Sequence, residues 1–301
     1  MGNGPSEQEQ IDRFVSDLSD GPDVRVNQNI VKFCSLHSSD MLKQHYERRM
    51  RAGDCAAGWI KDLVVKLAAF TSAPELAGLG ALAIAVFIDI LSSSPSKESV
   101  KDALRCVFAE EKASEVWDLI DECLKRIRMN IDNRHQLRSD LERIEHKLSE
   151  ALTKLKNSML RDNHMTTDAL KAWVNGAAFH IHMLVHLVRL GGINTCNPVE
   201  RLLSDYEEAL DELFKKQKKI IENKCSLESS ATIPAVVDPP PYFVDEMGTC
   251  YNIGYGDFDK HVEALYNHRY GRQKREIQQH FSDVRRNLQS LVSQRGSFNF
   301  Q

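Results

Sequence analysis

From Glu110 to Met159 the chain contains no glycine and no proline, and its apolar residues recur at intervals of three and four. Strands rarely exceed ten residues, so an unbroken stretch of this length excludes a β reading. Leu137, Leu141, Ile144, Leu148, Ala151 and Leu155 form one seam, and Val116, Ile120, Cys123 or Leu124, Ile127 and Ile131 extend it toward the N-terminus. That spacing is a heptad, whose apolar stripe faces a partner helix. One very long helix or two collinear ones are predicted, with Ile144 buried in the seam and Glu145 on the outer face.

The same period runs through most of the chain. Ile11, Phe14, Val15 and Leu18 predict a short amphipathic helix that ends at SDGPD. Ile30, Val31 and Phe33 mark another. Thr167 reads as the cap of a helix that stops at Gly191 and Gly192. After NPVE, a second heptad steps through Val199, Leu203, Tyr206, Leu210, Leu213, Gln217 and Ile220, with Pro198 at the first helical position. Short connections between such helices imply antiparallel packing. The predicted fold class is therefore all-α, an elongated antiparallel helical bundle with long heptad-patterned helices. Four parts are expected: an arm at 1–24, the bundle at 25–226, an irregular Pro/Gly-rich surface segment at 227–256, and a C-terminal helix and tail at 257–301, interrupted near Gly271.

Within the bundle, LAGLGALAIAVFIDIL (76–91) is the most apolar run. At ~1.5 Å per residue it spans about 24 Å, short of the roughly 30 Å hydrocarbon core, and Asp89 lies inside it. Two readings stay open: a buried core helix, or one arm of an apolar hairpin at 59–91, marked by Trp59, Leu76 and Phe87, that inserts into a bilayer.

Three short motifs carry candidate chemistry. The opening MGNGPS matches the myristoylation pattern, with Gly2 as the acceptor and Ser6 as the required hydroxyl residue. PPPY (239–242) is a complete PPxY ligand for a WW domain: Pro239 and Pro240 pre-set a polyproline II turn, and Tyr242 fills a neighbouring pocket. FHIHMLVHLVRL (179–190) places His182 and His186 four apart on one helix face, with His180 projecting elsewhere. No HExxH accompanies them, so no metal site is assigned. RQKRE (272–276), with Arg269, Arg285 and Arg286, gives the last helix a basic character.

Charge and cysteine usage bound the function. A formal net charge of -4 offers no electrostatic reason to expect nucleic acid. Seven cysteines, scattered and without CxxC spacing, read as reduced thiols of a cytoplasmic protein. The acidic N-terminal stretch has no signal-peptide pattern. No phosphate-loop or nucleophile signature is present. The chain is expected to be a non-enzymatic, N-myristoylated adaptor or scaffold. It would sit on the cytosolic face of a membrane, held at the lipid bilayer by its acyl group, and recruit WW-domain proteins. No cofactor is expected, and the oligomeric state is open. The alternative is a membrane-inserting, pore-forming protein that uses the hairpin.

Overall fold

The computed structural model describes residues 6–51, 77–91, 99–108, 111–131, 133–228, 241–254 and 256–294. The chain divides into two compact units, one formed by Met1–Val24 with Asp211–Glu276, the other by Arg25–Leu210 with Ile277–Gln301.

The larger unit is helical. Among its elements are α1 (Gln28–Phe33), α2 (Ser38–Arg51), α3 (Leu79–Leu91), α4 (Val100–Cys106), α5 (Glu111–Met129), α6 (Arg134–Arg161) and α7 (Thr167–Arg189). Helix α7 is apolar on nearly every side, and a helix of that kind has to be surrounded by others. α5 and α6 pack against each other and both pack against α7. Where the three meet, Gly176 makes the approach possible. A Cβ there would lie 2.6 Å from Leu152 Cδ2 and 2.8 Å from Val116 Cγ1. The heptad residues from Leu137 to Leu155 are all buried. However, α5 and α6 are not collinear, because the chain folds back between them. There Asn133 N–H bonds the Asn130 carbonyl at 3.0 Å, and the Asn133 side chain caps α6 by accepting from Gln136 N–H. The cap of α7 is Thr166, one residue earlier than the spacing implied, and the helix ends at Gly191 with φ 74°.

Helix α3 carries the apolar run, and it is a core helix of this unit, packed on α2 and α5. Asp89 is buried with three partners: Arg49 and His45 from α2, and the backbone N–H of Val100. Burial would raise its carboxyl pKa, but these donors hold it below the ordinary value. Phe87, assigned above to the hairpin, lies 4.4 Å beneath the Arg128 guanidinium. Trp59 and Leu76 lie outside the described residues. Among the described residues no helix is long and apolar enough to cross a membrane. The apolar hairpin is therefore corrected to a core helix. Among the described residues no helix supports the membrane-spanning, pore-forming reading, and Gly2, the expected myristoylation site, lies outside them.

The smaller unit corrects the fold class at a second point. The segment expected to be irregular contains a three-stranded antiparallel sheet in the order β1 (Ser226–Glu228), β2 (Tyr242–Val244), β3 (Cys250–Asn252). Phe243 is aligned with Leu227 on one side and Tyr251 on the other. The protein is thus a helical bundle with a small sheet. Helix α8 (Asn197–Lys224) belongs to the larger unit up to Leu210 and to the smaller one beyond it. The smaller unit also holds the first helix of the chain, Glu7–Asp17, whose Ser6 and Glu9 form a capping box. The final helical stretch is divided: Phe258–Tyr266, a π-helical turn at Asn267–Gly271, then Arg272–Arg286 and Leu288–Ser293.

Candidate functional site

The proline motif ends where a strand begins. Pro239 and Pro240 lie outside the described residues, and Pro241 leads directly into β2. Proline has no N–H to give to a ladder, so pairing starts at Tyr242, opposite Glu228 and Asn252. Successive strand residues point to opposite faces. Tyr242 is 40% exposed while Phe243 is fully buried. The Phe243 ring meets Phe14 edge to face at 5.3 Å and lies 5.7 Å from Phe258 and 6.3 Å from His261.

The strand is held in place from the turn that follows it. Asp245 Oδ1 accepts the N–H groups of Met247 at 2.9 Å and Thr249 at 2.8 Å, and its Oδ2 accepts from Arg269 at 2.8 Å. Burial raises the Asp245 pKa, but the bonds from Thr249, Arg269 and Met247 outweigh it and keep the carboxyl below its ordinary value. Arg269 is itself buried. It pairs with Glu246 at 2.8 Å and donates to the Ser19 carbonyl at 3.3 Å and hydroxyl at 3.1 Å. The result is a fixed sheet with an aromatic core beneath it and a tyrosine on its outer face.

The basic run near the C-terminus is largely neutralised. Arg269 lies in that buried pair, Arg272 bonds Glu276 at 2.8 Å, Lys274 meets Asp211 at 2.6 Å, and Arg285 bonds Glu207 at 2.7 Å.

The three histidines of α7 part company. His180 Nδ1 lies 2.6 Å from the Tyr206 hydroxyl, and its Nε2 lies 2.8 Å from Glu145. Glu145, expected on the outer face, is thereby drawn inward. Burial pushes its pKa up, but the His180 bond and charge, helped by His146, leave it lowered. Burial also pushes the Tyr206 phenol well above its ordinary value. His182 stands beside His280, with ring centroids 5.8 Å apart. His186 is buried, and neither ring nitrogen has a hydrogen-bond partner among the described residues. Burial, followed by the neighbouring His280, lowers the His182 pKa to about 3, and burial with Arg189 lowers that of His186 to about 3. Among the described residues, no group of three His, Cys, Asp or Glu side chains is placed to hold a metal ion.

Of the residues named from the sequence, Gly2, Pro239 and Pro240 lie outside the described residues, and Tyr242 is placed as above. The sequence reading missed His280 and Asp245. His280 belongs to an ordinary-looking amphipathic helix. Asp245 could have been found from the Asp-x-x-Gly pattern of a tight turn. No protein-family model, no curated protein and no solved structure matches the chain.

Proposed function

We propose that the chain is a non-enzymatic adaptor that presents PPPY to WW domains. The observation that carries this reading is the division of labour in β2: Phe243 anchors the strand and the adjacent Tyr242 is left exposed. A PPxY ligand offers a WW domain two things, a polyproline turn for its aromatic groove and a tyrosine for the neighbouring pocket. The prolines lose little freedom on binding because their φ is already set. The tyrosine is displayed on a strand whose backbone hydrogen bonds are already satisfied, so docking need not unpair the sheet.

The test is capture of the purified full chain by isolated WW domains of the PPxY-binding class. It is compared with a peptide covering 237–245 and with the Tyr242→Ala chain. The full chain is expected to bind comparably to the peptide, and Tyr242→Ala to abolish capture while circular dichroism stays unchanged. Binding by the peptide but not by the folded chain would sink the proposal, since PPPY would then be a structural turn.

A further inference from the structure

The larger unit contains a cavity of about 250 Å³ that is unrelated to the proline motif. Its lining includes Val31, Cys34, Leu36, His182, His280 and Asp283. His182 is only 5% exposed, and the Nε2 atoms of both His182 and His280 are buried with no hydrogen-bond partner among the described residues. Buried polar atoms of this kind are normally satisfied, by protein, water or ligand. Here two of them stand side by side at the wall of an open space. Burial lowers the pKa of His280 to about 4, opposed by Asp283, so both rings are neutral at ordinary pH. Each ring then offers one donor and one acceptor.

The rest of the lining narrows the ligand. Val31, Cys34, Leu36, Val284 and Leu291 supply apolar surface, and no lysine or arginine is among the lining residues. An anion would meet the Asp283 carboxylate, whose own partner Arg286, at 3.1 Å, is not among the lining residues. With no trio of metal-binding side chains among the described residues, the fitting ligand is organic. An apolar cavity of about 150 Å³ accommodates benzene, roughly 25 Å³ per non-hydrogen atom, so this cavity has room for about ten such atoms.

We propose that this cavity binds a small uncharged molecule with an apolar body and one hydroxyl-type group, the hydroxyl lying between His182 and His280. The apolar body packs on Val31, Leu36 and Val284. The hydroxyl donates to one neutral imidazole and accepts from the other, which satisfies both rings at once.

Two probes of equal size separate this from simple filling of a void: 4-methylphenol and 1,4-dimethylbenzene. Each is titrated into the full chain carrying ¹⁵N-histidine, and the ring resonances are followed by NMR, with assignments taken from His182→Leu and His280→Leu. The phenol is expected to shift both rings saturably and to bind roughly tenfold more tightly than the hydrocarbon, the worth of about one net hydrogen bond. In His182→Leu the two probes should bind within about twofold of each other. Leucine replaces an unbonded polar ring there, so circular dichroism should show a folded chain; if it does not, His280→Leu supplies the same comparison. Equal affinity of the two probes for the unaltered chain, or shifts that never saturate, would overturn the proposal.

Discussion

Acidification from pH 7.5 to 5 is expected to weaken the larger unit through His182 and His186. Both are buried and neutral, with folded-state pKa values of about 3 against 6.5 when exposed. A depressed histidine pKa means that below 6.5 the unfolded chain takes up protons that the folded chain cannot. Stability is therefore full above pH 6.5 and is lost as pH falls from there toward 3. At pH 5 the unfolded-state proton uptake is worth RT ln(1 + 10^1.5), about 2 kcal/mol per histidine, and the folded-state uptake is negligible. For the two residues together the loss is about 4 kcal/mol, a large share of the roughly 5–15 kcal/mol by which domains are stable. The groups facing them do not offset this: His182 meets His280, itself neutral, and His186 meets the Arg189 cation. The carboxylates Asp89, Glu145 and Asp245 have lowered pKa values, so they stay ionised across this window and do not confuse it.

The assay is urea unfolding followed by circular dichroism at pH 7.5, 6 and 5, for the unaltered chain and for His182→Leu and His186→Leu. Each variant should recover about 2 kcal/mol of the pH-dependent loss, because leucine removes the proton uptake from the unfolded state. A chain equally stable at pH 7.5 and 5, or variants that lose as much as the parent, would show that these rings are solvated and the burial argument is wrong.

Two further substitutions test the packing. Gly176→Ala places a methyl group within 2.6 Å of Leu152 and 2.8 Å of the stiff Val116, so overpacking of about 1–3 kcal/mol should exceed the helix-propensity gain of about 1 kcal/mol. A higher melting temperature would refute the close approach of the three helices. Arg269→Leu strands Asp245 and Glu246 and should cost about 3–5 kcal/mol, whereas Arg272→Ala, which breaks an exposed i,i+4 pair, should cost less than about 0.5 kcal/mol. Denaturant midpoints that move equally for the two would mean Arg269 is not a buried ion pair.

What could be read from sequence follows from how many residues carry each signal. The seam from Leu137 to Leu155 repeats its period often enough to fix its buried face, and every member is buried. The break inside that long stretch was missed because its signal is not glycine or proline. It is the pair Asn130 and Asn133, whose polar groups close the turn and cap the next helix. The apolar run at 76–91 shows the opposite difficulty. A membrane helix and a fully enclosed core helix have the same composition, and only the partners of Asp89 separate them. Its two side-chain partners, His45 and Arg49, lie forty or more residues away, and nothing near Asp89 announces them.

Polar groups defeat pattern reading for the same reason. Arg269 reads as one member of a basic run, yet its carboxylates come from the turn at Asp245 and Glu246, in a different part of the chain. Glu145 adjoins the seam residue Ile144 and looks solvent-facing until His180 is placed opposite it. The sheet carries too little signal to see in advance. A three-residue strand offers a single alternation, and Tyr-Phe-Val is equally compatible with a loop. Once the alternation is placed, though, it bears directly on the function proposed above. The third proline bars the ladder from extending backward, so the tyrosine of PPPY becomes the first paired residue of β2. Phe243 then takes the inward position beside Phe14, and Tyr242, one residue away, must point out.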